Sequence, residues 1–266
     1  MSTKFFSAAA AAALAFSFSA EAQTNLQTFY DFGKDRGHFT TTVEGFYGDK
    51  WGSTFFFIDH DYNNRDADDK VFAPNGTYWE IARALNFWQG TALAPLSLHV
   101  EYNGGVYNTY PINNAFLFGV EYFLHSKDFR NTLTLELLYK NINYAGATRA
   151  DGTKRASEVP LQFTVVWGLK DLFGLTGLSF SGFADFWWED HAVAPFLNDK
   201  SKGYRDWTKA KDSKIVFLSE PQLWYNVGQH FGVRNLHVGT EVELACDFGS
   251  GKGFFARPCL GFKWVF

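Results

Sequence analysis

The sequence predicts an all-β fold, a transmembrane antiparallel β-barrel of about 12 strands, and three observations carry that prediction. The first is the final stretch. Phe254, Ala256, Pro258, Leu260, Phe262, Trp264 and Phe266 are all apolar, while Phe255, Arg257, Cys259, Gly261, Lys263 and Val265 are mixed and include two cations. Period-two alternation gives a strand one greasy and one polar face. The run is close to the ~9–11 residues that cross a bilayer at a tilt. An edge strand of a soluble sandwich is the alternative, but one this long and aromatic would invite aggregation. The second observation is that similar segments recur along the whole chain. The third is compositional: aromatic residues make up 19% of the chain, yet mean hydropathy is −0.19 and net charge −4. Helical spans need ~18 or more consecutive apolar residues, and beyond residue 22 no such run occurs. Strands with one face toward a polar lumen fit these values.

Residues 1–22 read as a signal peptide. Lys4 gives the basic region, Phe5 to Phe18 the apolar stretch and Ala20-Glu21-Ala22 the cleavage site before Gln23. Residues 23–266 are then one barrel domain of an exported protein, placed in the bacterial outer membrane in contact with its lipid. Two cysteines exclude a disulfide scaffold. The mild acidity gives no reason to expect nucleic-acid binding.

In chain order, the first strand runs from Gln23 to Phe32, with Phe29 and Asp31 on one parity and Tyr30 and Phe32 on the other. Gly33 to Gly37 is a turn. His38 to Tyr47 sends Phe39, Val43 and Tyr47 to lipid and Thr40, Thr42 and Glu44 inward. Ser53 to Tyr62 puts Phe56, Ile58 and Tyr62 outside, and Phe55, Phe57, Asp59 and Asp61 inside. A long polar loop, Asn63 to Asn75, precedes the strand from Tyr78 to Trp88. There Arg83 shares parity with Trp79, Ile81 and Leu85. A cation on the lipid face near mid-bilayer costs ~2–4 kcal/mol, so a bulge that turns Arg83 inward is expected. Leu96 to Tyr102 alternates cleanly, with Leu96, Leu98, Val100 and Tyr102 outside and His99 and Glu101 inside. Further strands are predicted at Phe116–Leu124, Thr132–Tyr144, Leu161–Leu169, Leu178–Trp188, Lys214–Tyr225 and Leu236–Phe248. From the third strand on, short and long connections alternate, as periplasmic turns and extracellular loops do.

That register lines the lumen with Glu44, Asp59, Asp61, Glu80, Glu101, Glu121, Glu136, Asp185, Glu220, Glu241 and Glu243, and with the fewer cations and imidazoles Arg83, His99, Lys140, His237, Arg257 and Lys263. Phe29, Phe55, Phe57, Phe183, Trp187 and Phe255 share that face. Any single charge here is explained by an internal ion pair, because buried charges must be paired or hydrated. The combination says more. Small ions need water and charge, whereas aromatic faces beside carboxylates suit a solute with a flat ring, since stacking is worth ~1–3 kcal/mol per base, and with hydroxyls, which donate to carboxylates. Several weak sites in series allow passage.

Four segments carry a resemblance. Gly45 to Asp61, Tyr78 to Arg83, Leu98 to Gly105 and Leu178 to Trp187 are similar to segments of the Tsx-like nucleoside-specific channel family. The terminal aromatic strand is similar as well, and its last residue resembles the signal read by the barrel-assembly machinery. The likeness is diffuse but covers most of residues 23–266. It implies a monomeric twelve-stranded barrel passing nucleosides through a narrow lumen. The candidate solute-binding residues are Phe55, Phe57, Asp59, Asp61, Glu80, Arg83, Glu101, Phe183, Asp185, Trp187 and Glu220. The partner is then a small nucleoside-like solute, and no catalytic residue, metal or cofactor is assigned. Alternation fixes register least at the long loop from His191 to Asp212 and at Pro221, which interrupts the tenth strand.

Three rival readings stay open. A phospholipase-type barrel needs a serine beside a histidine, and His125-Ser126 is the one such dipeptide, in an expected periplasmic turn. A protease barrel could use Asp59-His60-Asp61, although His60 falls on the lipid-side parity. A closed barrel whose charges all pair would conduct nothing. Cys246 and Cys259 are expected at similar heights on neighbouring strands but on opposite faces, which argues against a disulfide.

Overall fold

The computed structural model describes residues 23–63, 73–108, 112–197 and 204–266. The expected signal peptide lies outside the described residues, as do positions 64–72 of the long loop after the third strand. The strands are β1 (Gln23–Asp31), β2 (Phe39–Asp49), β3 (Gly52–Tyr62), β4 (Pro74–Leu85), β5 (Leu96–Tyr107), β6 (Asn114–His125), β7 (Asn131–Asn143), β8 (Leu161–Lys170), β9 (Leu178–Val193), β10 (Lys211–Ser219), β11 (Gln222–Tyr225), β12 (Leu236–Cys246) and β13 (Phe254–Val265). Neighbours pair antiparallel throughout, and β13 pairs with β1, so the sheet closes. β10 and β11 stand end to end, both between β9 and β12. Pro221, which has no N–H to give to a ladder, parts them. Together they form one stave, and the barrel has 12.

Closure satisfies every strand edge, which is what a bilayer requires of a sheet. The two faces then differ as the alternation demands. Val43, Ile58, Ile81, Val100, Phe118, Leu137, Phe163 and Phe262 are exposed on the outside. Inside, Gln27, His99, Glu101, Gln162, Glu243 and Arg257 are buried. Large apolar groups outside and ionisable groups inside invert the order of a soluble protein. The molecule is an outer-membrane β-barrel. The turns at 50–51, 86–95, 126–130, 171–177 and 226–235 share one end with both termini of the barrel, and the segments at 144–160, 194–197 and 204–210 lie at the other.

Arg83 departs from expectation. The β3–β4 ladder runs without a shift from Gly52↔Leu85 to Asp61↔Gly76, so no bulge turns it. It keeps the outward parity of Trp79 and Ile81, and it is therefore not a lumen residue. It sits two positions from the end of β4, where its guanidinium donates to Asp49 Oδ1 at 2.8 Å and Thr54 Oγ1 at 3.0 Å. The penalty for a lipid-facing cation falls to ~0–1 kcal/mol near the interface, and a long side chain reaches it by snorkelling.

The cysteines are both free. Cys246 faces Phe254 across the ladder and Cys259 faces Glu241, so they also differ in height, contrary to expectation. On the inner wall Gly239 and Gly261 stand opposite each other. A Cβ at Gly239 would meet Trp224 at 2.4 Å, and one at Gly261 would meet Phe29 at 2.6 Å. The two glycines leave the space that Trp224 and Phe29 fill, with ring centroids 5.5 Å apart.

The outer face yields one prediction. Phe118 lies mid-strand on β6 between Val100 and Tyr139. Phe118→Lys is expected to destabilise the barrel by about 2–4 kcal/mol, measured by reversible urea unfolding in lipid vesicles. No loss would place this face elsewhere than in the hydrocarbon.

Candidate functional site: the lumen

A cavity of about 2890 Å³ fills the barrel. Asn63, Arg149 and Tyr204 line it at the loop end, and Phe129, Arg130 and Phe266 at the turn end, so one space reaches both rims. Of the candidate site residues, Phe55, Phe57, Asp59, Asp61, Glu80, Glu101, Phe183, Asp185, Trp187 and Glu220 line it, and Arg83 does not.

On β3 and β4 the rings form a short ladder. The Phe55 and Phe57 centroids are 6.1 Å apart, and those of Phe57 and Tyr78 are 5.8 Å apart. Phe57 is directly cross-strand from Glu44 on one side and Glu80 on the other. An aromatic face is thus flanked by two carboxylates at one height. Above it, Thr42 donates to Asp59 and Thr40 to Asp61, each at 2.5 Å.

A second group spans β4 to β9. Glu80, Glu101, Glu121, Glu136 and Asp185 face His99 and Lys140. The Lys140 Nζ donates to Gln162 Oε1 at 2.6 Å and lies 3.9 Å over the Trp187 ring. Trp187 is only 5% exposed. Its Nε1 donates to Glu189 at 2.8 Å, and Phe248 meets it edge-on at 6.0 Å. Its ring is therefore already covered, unlike that of Phe57.

A third group holds Glu220, in the break between β10 and β11, Glu241 on β12 and Lys263 on β13. Gln222 donates to Glu241 at 2.6 Å, and Lys263 Nζ lies 4.1 Å over the buried Trp224 ring.

The loop-end mouth is crossed by the β1–β2 turn. Arg257 donates to Asp35 through Nε at 3.0 Å and Nη2 at 2.6 Å, and also reaches Glu243. Arg205, from the β9–β10 connection, adds a contact to Asp35 at 3.0 Å. Arg36 lies 3.3 Å from Glu243, 3.6 Å from Asp31 and 3.9 Å from Asp61. Glu243 is on β12 and Asp61 on β3, so one guanidinium joins strands on both flanks of the turn. Burial opposes ionisation of Asp35, but the hydrogen bonds and charge of Arg257, with Arg36 and Arg205, outweigh it and hold the carboxyl well below the usual carboxylate range. A depressed folded value adds stability that is complete above the unfolded value of ~3.9 and is lost as pH falls toward the folded one. The Asp35 contribution is therefore expected to be constant between pH 5 and pH 8 and to fade only in stronger acid. Comparing the pH dependence of unfolding of wild type and Asp35→Asn checks this.

The parity reading left out several residues on the inner side of the barrel. Tyr78 shares the parity of Glu80, and Trp224 that of Glu220, so both were accessible to the same reasoning. Asp35, Arg36 and Arg205 lie in connections, where alternation gives no direction.

The two hydrolase arrangements do not assemble. Ser126 Oγ donates to Asp128 at 2.6 Å and His125 Nδ1 meets the Ser126 carbonyl at 2.8 Å, so the hydroxyl and the imidazole are not bonded to each other. His60 bonds Thr77 at 3.0 Å and packs on Tyr62, on the face opposite Asp59 and Asp61.

The family described as "Domain of unknown function (DUF5020)" matches residues 22–266. The chain belongs to this DUF5020 family. No curated protein matches it. Among solved structures, this DUF5020 chain is similar to outer membrane phospholipase A of Escherichia coli, at 11% identity over 92% of this chain and 95% of that one, with TM-score 0.47. It is also similar to the outer membrane protein OprD of Pseudomonas aeruginosa, at 12% identity, 92% and 65% coverage and TM-score 0.38. A BenF-like porin from Pseudomonas fluorescens matches at 11% identity, 89% and 58% coverage and TM-score 0.39. The chain spans less than two thirds of the length of the latter two. Likeness of this degree assigns no activity.

Proposed function

We propose that this barrel is a passive outer-membrane channel for small, neutral or cationic, ring-bearing solutes, with nucleosides as the solute class. The observation that carries the reading is the continuous cavity with Phe57 set between Glu44 and Glu80. A base stacks on the ring while ribose hydroxyls donate to the carboxylates. At about 2890 Å³ the cavity exceeds the ~300–1,000 Å³ of a pocket built to retain one ligand, which suits passage. Carboxylates outnumber cations along the wall, and that excess repels anions. The resemblance to the Tsx-like family supports the same solute class.

Liposome uptake tests the reading. Purified protein is expected to pass uridine and adenosine and to exclude uridine monophosphate, which differs by its phosphate charge. Equal uptake of uridine and its monophosphate, or uptake of neither, would contradict it.

A further inference from the structure

The wall of β5 to β7 holds a cluster that solute passage does not require. His99 is 4% exposed. Its Nε2 lies 3.1 Å from Glu101 Oε2, and its Nδ1 lies 2.9 Å from Glu121 Oε2 and 3.9 Å from Glu136 Oε2. His99, Glu101 and Glu136 each bring one ligand-capable atom within 4.8 Å of the other two. Glu121 and Glu136 stand directly opposite on β6 and β7, a placement in which like charges destabilise a sheet. Lys140, the neighbouring cation, is committed to Gln162 and the Trp187 face. One imidazole therefore faces three carboxylates, and buried charge of this kind must be paired or must coordinate a metal.

We propose that His99, Glu101 and Glu136 bind a divalent transition-metal ion of the zinc class in the lumen wall. An imidazole with two carboxylates is a donor set suited to zinc, whereas magnesium and calcium prefer oxygen alone. Glu121 takes the N–H of the second ring nitrogen, the arrangement that orients metal-bound histidines. Asn103 Nδ2 donates to Glu101 Oε1 at 3.1 Å and fixes that carboxylate. All three residues line the cavity, so an ion held by them exchanges with the lumen. This inference does not depend on which solute passes.

Equilibrium dialysis of the purified full chain in detergent against Zn²⁺ and Ca²⁺, with thermal unfolding of each variant as a fold control, tests it. Wild type is expected to bind Zn²⁺ in preference to Ca²⁺. His99→Asn and Glu136→Gln are expected to abolish that binding, and Glu121→Gln to weaken it about 10–100-fold. If His99→Asn does not fold, Glu136→Gln alone decides. Absence of Zn²⁺ binding, preference for Ca²⁺, or Zn²⁺ binding unchanged by the folded variants would overturn the site.

Discussion

Arg257→Ala is expected to cost the folded barrel about 3–5 kcal/mol, the penalty for removing one partner of a buried ion pair. Arg257 is 4% exposed, and its loss leaves Asp35 and Glu243 buried without their main counter-charge. The same change frees the β1–β2 turn from the barrel wall, so conductance in planar bilayers is expected to rise. Arg36→Ala should act in the same direction with a smaller stability cost, because Arg36 is more exposed. Urea unfolding monitored by the gel shift of the folded barrel measures the first effect, and single-channel recording the second. If Arg257→Ala were as stable as wild type and conducted no better, the turn would not be held by these arginines.

Phe57→Ala is expected to raise the half-saturating uridine concentration for flux by about 5–150-fold, the equivalent of ~1–3 kcal/mol of lost stacking. Trp187→Ala should have a smaller effect, because Lys140 and Phe248 already cover that ring. The contrast is the informative part, since both residues line the cavity. Equal effects would mean that solute reaches Trp187 by displacing Lys140. No effect of Phe57→Ala would remove stacking from the proposed passage.

How much of this was legible in the sequence depends on where each residue lies. Along the strands, period two decided nearly everything: Phe55, Phe57, Asp59, Glu101 and Asp185 face inward as their parity requires. Even the broken stave at Pro221 kept its place between β9 and β12. Arg83 was misjudged because alternation gives the face but not the depth. The residue avoids the bilayer centre by lying near a strand end, and the bulge expected from its charge was unnecessary. The connections gave no such guidance. Nothing in Gly33 to Gly37 indicates that Asp35 and Arg36 fold back over the lumen, since that depends on Arg257, Glu243 and Arg205 from distant parts of the chain. Side-chain pairing inside the cavity was equally hidden. Trp187 was placed on the right face, but its cover by Lys140 follows from a contact between β7 and β9 that parity does not encode.

The central claim is a through-passage walled mainly by carboxylates, and the reversal potential of purified protein in a planar bilayer under a potassium chloride gradient tests it most directly. A steady, cation-selective conductance is the result expected. Anion selectivity, or silence from wild type and Arg257→Ala alike, would contradict it.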